Sequence, residues 1–80
     1  MGPIGQWRHA RKMRLVLKSA LDGESERVGA EQSAVVEGFI AAGEWRLAYQ
    51  QLLDALTDLE IAPLEKTTVH LREADRLIIG

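Results

Sequence analysis

The sequence predicts an all-α protein, a compact four-helix domain, on the basis of three observations. Apolar residues recur at helical spacing in four successive segments, and no segment alternates apolar and polar residues as a half-buried strand does. Gly43 separates two of these segments, as a glycine does at the end of a helix. The 80 residues, 46% hydrophobic and 28% charged, suffice for one small core. We therefore expect a flexible N-terminal lead-in at residues 1–6 and a single helical domain over residues 7–80.

The first helix is predicted over residues 7–21 and the second over residues 30–42. The apolar face of the first spans an arc of about 140° at 3.6 residues per turn. It consists of Ala10, Met13, Val16, Leu17, Ala20 and Leu21. The intervening segment 22–26, Asp-Gly-Glu-Ser-Glu, has the composition of a loop. The apolar face of the second helix consists of Val35, Val36, Phe39 and Ile40.

The third helix, predicted over residues 44–59, has an apolar arc of about 160°. Its members are Trp45, Ala48, Tyr49, Leu52, Leu53, Ala55, Leu56 and Leu59. So wide an arc predicts contact with more than one neighbour and makes this helix the expected centre of the domain. The fourth helix is predicted over residues 63–78, with Pro63 at its first position, where the missing N–H costs nothing. Its apolar face consists of Leu64, Thr67, Leu71, Ala74 and Ile78.

Charge is distributed unevenly along the chain, although the formal net charge is only −2. Residues 1–22 carry five basic residues and one acidic residue, which gives a net charge of +4. Residues 23–80 carry five basic and eleven acidic residues, which gives −6. Such an asymmetry affects the choice of partners and the rate of association rather than the fold.

The sequence offers no combination of residues that predicts an enzyme. It has no cysteine, no glycine-rich phosphate loop and no recognised metal motif, so we expect neither a cofactor nor a metal. His9 and His70 lie far apart and are predicted to be structural or solvated. No apolar run approaches the ~20 residues of a membrane span, and the N-terminus lacks a signal-peptide pattern. Since the absence of cysteine also fits a reducing compartment, the expected location is the cytoplasm.

The first candidate surface for a partner is the polar side of the first helix. Trp7 shares this side with five basic residues, Arg8, Arg11, Lys12, Arg14 and Lys18. The side either contacts a polyanion such as a nucleic acid or an anionic membrane, or only solvates the helix. We favour the second interpretation, because the acidic remainder of the molecule would repel a polyanion.

The second candidate surface lies on the third helix. Leu47, Gln51, Asp54 and Asp58 are spaced by four, three and four residues, which places them in one stripe outside the apolar arc. Leu47 is either an exposed anchor with an acidic rim, which suits a basic protein partner, or is covered by a neighbouring helix. The sequence leaves these alternatives open. Trp45, by contrast, is predicted to pack in the core.

Several features between residues 33 and 78 resemble the MafI-like immunity proteins. These are small helical bacterial proteins encoded beside polymorphic or contact-dependent growth inhibition toxins. The resemblance is carried by the junction Gly43-Glu44-Trp45, by Ala48, Leu52 and Leu56, and by Ile61-Ala62-Pro63-Leu64. The basic first helix lies outside the matching region. Ala62 also stands where a Ser or Thr cap would be expected before the last helix.

The resemblance implies a non-enzymatic inhibitor that binds a cognate toxin domain in the cytosol and neutralises it stoichiometrically. Such toxins are often nucleases with basic substrate-binding surfaces, which the acidic residues 23–80 would complement. The residues expected to contact the toxin are Glu37, Glu44, Leu47, Gln51, Asp54, Asp58 and Glu60. Two alternatives are kept: a nucleic-acid-binding regulator that uses the first helix, and a self-association module in which the first helix or the apolar C-terminus pairs with a second copy.

Overall fold

A computed structural model describes the backbone of residues 3–79 and the side chains of residues 8–79. Four helices follow one another in this part of the chain: α1 (Pro3–Val28), α2 (Ala30–Ala41), α3 (Trp45–Asp58) and α4 (Glu65–Ile79). No strand occurs among these residues. The prediction of an all-α four-helix domain is therefore confirmed. Of the predicted lead-in, residues 1–2 lie outside the described part, and residues 3–6 belong to α1.

The predicted loop at residues 22–26 is wrong, because α1 continues through it to Val28. Gly23 is not a turn residue here but a point of close contact with α4. A Cβ atom at Gly23 would lie 2.5 Å from Thr67 Oγ1, so that only glycine lets the two helices approach this closely. Glu24 is also buried, at 1% exposure. Gly23 and Glu24 thus contribute to helix packing, although the segment around them has the composition of a loop.

A single residue, Gly29, separates α1 from α2. Its φ of 90° lies in the left-handed region that side chains disfavour. Its N–H donates to the Ser25 carbonyl at 3.0 Å, and its carbonyl accepts the Ser33 N–H at 3.0 Å, so both helices extend up to the break. The chain reverses here, and α2 folds back along α1.

The glycine at position 43 ends α2 as the sequence predicts. Gly43 has a φ of 75°, and its N–H donates to the Ile40 carbonyl at 3.1 Å. The next N–H, that of Glu44, donates to the Phe39 carbonyl at 2.9 Å. This pair of bonds is a Schellman motif, which satisfies carbonyls that the end of the helix leaves without partners. Glu44 is the N-cap residue of α3, and the helix itself begins at Trp45.

The start of α4 depends on two α1 side chains. Helix α4 begins at Glu65, two residues after the predicted start at Pro63. Glu24 Oε2 accepts the Leu64 N–H at 2.9 Å, and the Leu64 carbonyl accepts the Thr68 N–H at 2.9 Å. Leu64 therefore lies at the N-cap position, and Glu24 accepts its N–H, as the Glu of a capping box accepts the N–H of the N-cap residue. Arg27 pairs with Glu24 and donates from Nη1 to the Ala62 carbonyl at 3.0 Å.

The core is contributed by all four helices. Its fully buried large apolar side chains include Met13, Leu17, Leu21, Leu52 and Val36. Burial of each such side chain stabilises the fold by roughly 1.5–3 kcal/mol. Trp45, Tyr49 and Leu53 pack against this core, as does the C-terminal pair Leu77 and Ile78. Three predicted core residues are instead substantially exposed: Val35 (42%), Leu59 (49%) and Leu64 (45%).

The helices form two extensive pairs, α1 with α4 and α2 with α3. Both α1 and α3 contact the other three helices, whereas α2 and α4 do not meet within the described residues. The expectation that the third helix contacts more than one neighbour is therefore confirmed, and α1 shares this central position. Its 26 residues correspond to about 39 Å, close to the 41 Å long dimension of the molecule.

Candidate partner-binding surface

The predicted stripe on α3 is a real surface feature. Leu47 is 49% exposed, which excludes the alternative that a neighbouring helix covers it. Asp54 and Asp58 are also exposed. Gln51 is half-buried, and its Nε2 donates to Gln32 Oε1 on α2 at 3.0 Å. The stripe therefore runs along the outer edge of the contact between α2 and α3.

Val35 extends this stripe onto α2. It lies about one turn after Gln32, and Leu47 lies about one turn before Gln51. Because the two helices run antiparallel, Val35 and Leu47 lie on the same side of the glutamine hydrogen bond. Both side chains are about half exposed. We name the surface formed by Val35, Leu47, Gln51, Asp54 and Asp58 the α2–α3 face.

Sequence reasoning missed Val35 because it assigned this residue to the core with Val36. Successive residues on a helix point about 100° apart, so two adjacent valines cannot both lie at the centre of a narrow buried face. The structure buries Val36, at 1% exposure, and leaves Val35 on the surface. Ile40 lies about one helical turn after Val36 and therefore shares its side of α2, and this spacing is the sequence signal that separates the two valines.

The remaining predicted contact residues do not join this surface. Glu37 lies on the other side of α2, where it borders a depression with Arg14 and Lys18 of α1. Glu44 and Glu60 are exposed at opposite ends of α3, whose 14 residues span about 21 Å. Glu60 has a φ of 54°. It ends α3 in the same Schellman arrangement in which Gly43 ends α2, with its N–H donated to the Thr57 carbonyl. The seven predicted residues thus occupy at least three separate places.

The electrostatic character of the α2–α3 pair is strongly acidic. Residues 30–58 contain five acidic residues (Glu31, Glu37, Glu44, Asp54 and Asp58) and one basic residue, Arg46, which gives a net charge of −4. All six side chains are exposed. A cationic surface would be electrostatically complementary to this pair of helices, since opposite potentials accelerate encounter.

The basic side of α1 is also exposed. All five predicted basic residues have exposed side chains, and the side chain of Trp7 lies outside the described residues. Some of this charge is balanced within the molecule, since Lys12 Nζ lies 3.4 Å from Glu73 Oε1 and Glu37 borders the same depression as Arg14 and Lys18. This side is therefore less cationic than its sequence alone indicates.

Residues that could bind a metal ion do not cluster in the described part of the chain. No group of three or more His, Cys, Asp or Glu side chains there is placed to hold a metal ion. His9 is exposed and His70 is half-buried. None of the described helices has the length and apolar character needed to cross a membrane.

Comparison with models of protein families, with curated proteins and with solved structures finds no match to this chain.

Proposed function

We propose that this chain is an immunity protein of the MafI-like type, a non-enzymatic cytoplasmic inhibitor that binds a cognate bacterial toxin domain and neutralises it. The observation that carries the proposal is the half-exposed Leu47 with Asp54 and Asp58 in the same stripe. An apolar anchor with a charged rim is the usual anatomy of a protein interface. The resemblance around Gly43-Glu44-Trp45 supports the same class of function.

The structure favours a basic toxin surface as the target. The α2–α3 pair carries a net charge of −4, and a nuclease that binds a polyanion needs a cationic substrate-binding surface. An inhibitor that covers this surface competes directly with the nucleic acid substrate. Electrostatic attraction raises the rate of encounter, and the desolvated anchor Leu47 lengthens the lifetime of the complex.

The direct test is co-expression with the toxin domain encoded beside this chain. We expect a one-to-one complex that co-purifies, and cells that survive expression of the toxin. A toxin that remains free and lethal in the presence of an equal amount of this folded chain would refute the proposal.

A pair of alanine variants tests the role of Leu47. Leu47→Ala removes the apolar anchor, and we expect the affinity for the toxin domain to fall by 10-fold or more, about 1.4 kcal/mol or more. Leu15→Ala is the matched control, since Leu15 is 60% exposed on the outer side of α1, away from the α2–α3 face. Calorimetric titration measures both affinities. Equal affinities for the two variants would place the interface elsewhere.

Nucleic-acid binding by α1 is the second candidate, because all five basic side chains from Arg8 to Lys18 are exposed. This function predicts binding that weakens steeply with salt as counterions are released. A mobility-shift assay on DNA and RNA at low salt tests it. Failure to shift either nucleic acid at micromolar protein eliminates this candidate without affecting the first.

A further inference from the structure

The α3–α4 loop (residues 59–64) exposes more apolar surface than expected for a loop. Connecting segments run over the surface of a domain and are normally polar, because they meet water on most sides. Five of the six residues of this loop are apolar. The exposed ones are Leu59, Ala62, Pro63 and Leu64. The two leucines are 49% and 45% exposed, although helical periodicity assigned both of them to the core.

Two side chains of α1 hold this loop in a fixed conformation. Glu24 accepts the Leu64 N–H at 2.9 Å. Arg27, which pairs with Glu24, donates to the Ala62 carbonyl at 3.0 Å. Pro63 lies between these two contacts and restricts one more backbone angle. Because the loop is already ordered, a partner that binds its apolar side chains loses little conformational entropy.

Negative charge borders the apolar side chains of the loop. Residues 58–65 contain three acidic residues, Asp58, Glu60 and Glu65, and no basic residue. All three are exposed, and none forms an ion pair within the described part of the chain. The cation that α1 brings to the loop, Arg27, is already paired with the buried Glu24. An apolar centre with an acidic border complements a cationic protein surface and repels a polyanion.

We propose that the α3–α4 loop is a second anchor for the toxin domain, so that the interface continues from the α2–α3 face around the end of α3. This inference rests on the proposed function. Asp58 is the last residue of both α3 and the α2–α3 face, and Leu59 follows it directly. Leu47 and Leu59 lie about 18 Å apart along the helix axis. An interface of standard size, ~800 Å² per partner, is roughly 30 Å across, so one toxin surface reaches both leucines.

Titration calorimetry with the toxin domain encoded beside this chain tests the two leucines of the loop. Leu59→Ala and Leu64→Ala each remove an apolar side chain that is about half exposed, and the second keeps the N–H that Glu24 accepts. We expect each variant to lower the affinity about 5-fold and the double variant to lower it about 25-fold. Circular dichroism and urea unfolding establish that each variant is folded under the conditions of the titration.

Leu15→Ala is the matched control for these substitutions. Leu15 is 60% exposed on the outer side of α1, away from both the loop and the α2–α3 face. We expect its affinity to stay within about twofold of the wild type, because a leucine outside the interface buries no further surface on binding.

A pair of charge reversals tests the acidic border without changing the leucines. We expect Glu60→Lys with Glu65→Lys to slow association about 10-fold at low salt, and the difference from the wild type to shrink as salt is added. Asp22→Lys with Glu37→Lys makes the same change in net charge at exposed positions outside the loop and the α2–α3 face, and it should have a much smaller effect. Stopped-flow mixing measures both rates.

Three outcomes would overturn the inference. A toxin domain that binds the wild type and the Leu59→Ala, Leu64→Ala double variant equally well removes the loop from the interface and leaves the proposed function intact. A toxin domain that does not bind the wild type refutes the proposed function itself. A free wild-type chain that dimerises in analytical ultracentrifugation, and whose dimer the same double substitution dissolves, would assign the loop to a second copy of this chain instead.

Discussion

At the scale of single residues, the absence of a side chain at Gly23 allows α1 and α4 to pack closely. A Cβ atom at this position would lie 2.5 Å from Thr67 Oγ1, which is buried and has no hydrogen-bond partner among the described residues. We expect Gly23→Ala to destabilise the fold by about 1–3 kcal/mol, the usual cost of overpacking. Urea unfolding monitored by circular dichroism measures this cost.

Gly38 provides the matched control, since it is helical and a Cβ atom there meets nothing within 4 Å. Gly38→Ala is expected to stabilise the fold by about 0.5–1 kcal/mol through its higher helix propensity. Combining Gly23→Ala with Thr67→Ala removes the close contact and lowers the cost of the first change. Equal effects of the two single glycine substitutions would show that α4 does not constrain Gly23.

Tyr49 links stability to alkaline pH. Burial, followed by the nearby Asp75 carboxylate, raises the pKa of Tyr49 above its usual value of 10.0. The folded chain therefore keeps this proton at a pH where the unfolded chain loses it. Its contribution to stability is complete below about pH 10 and is lost as the pH rises through the folded pKa.

Two measurements check this expectation. Tyr49 is the only tyrosine, so the ultraviolet absorbance of tyrosinate reports its pKa directly, and we expect a midpoint above 10 in the folded chain. The free energy of unfolding of the wild type should fall more steeply above pH 10 than that of Tyr49→Phe, which has no proton to lose there. Identical profiles for the two proteins would contradict this assignment.

At the scale of helices, a clamp from α1 holds the start of α4. Glu24 Oε2 accepts the Leu64 N–H, and Arg27 pairs with Glu24 and donates to the Ala62 carbonyl. Glu24→Ala leaves the Leu64 N–H without its acceptor and Arg27 without its partner, and we expect a loss of roughly 3 kcal/mol. Glu24→Gln should lose less, because the amide oxygen still accepts the Leu64 N–H.

Glu26→Ala is the control for this clamp, since Glu26 is exposed on the same helix and should change stability by less than about 0.5 kcal/mol. Chemical denaturation gives the three free energies of unfolding. Hydrogen exchange at the Leu64 amide gives a local measure, and we expect the fastest exchange in Glu24→Ala. A cost for Glu24→Ala no larger than that for Glu26→Ala would show that the clamp does not stabilise α4.

Local patterns predicted most of the helices but not the contacts between distant segments. Gly43 was recognised as a helix end because a positive φ is a property of one residue and its neighbours. The continuation of α1 through Gly23 and Glu24 was missed, because both residues are explained only by α4 and the segment before it, about 40 positions along the chain. The exposed stripe of Leu47, Asp54 and Asp58 followed from spacing alone, whereas the surface position of Val35 depends on how α2 rotates against its neighbours.

At the scale of the whole molecule, positive and negative charge lie on different helices. Residues 8–18 of α1 carry five basic residues and no acidic one, whereas residues 30–58 have a net charge of −4. Such a separation orients the chain as it approaches a charged partner, because the attraction acts over roughly a Debye length of 8 Å at physiological salt.

A pair of double variants tests this orientation in toxin binding and rests on the proposed function. Asp54→Lys with Asp58→Lys reverses the charge of the α2–α3 face, and we expect the association rate to fall at least 10-fold at low salt. Asp22→Lys with Glu26→Lys makes the same change in net charge on exposed positions of α1 and should have a much smaller effect. Stopped-flow mixing measures both rates. Equal losses would mean that net charge, rather than the acidic face, governs the encounter.

The single glycine between α1 and α2 makes the compact fold dependent on the backbone dihedral angles of one residue. Gly29 holds a φ of 90° between two helices of 26 and 12 residues. If this residue became helical, α1 and α2 would fuse into one rod of about 39 residues, close to 60 Å long. The rod would carry α2 and the rest of the chain away from α1, and its exposed core could be completed only by the same segments of another molecule. Gly29 is thus the hinge at which this fold would exchange domains.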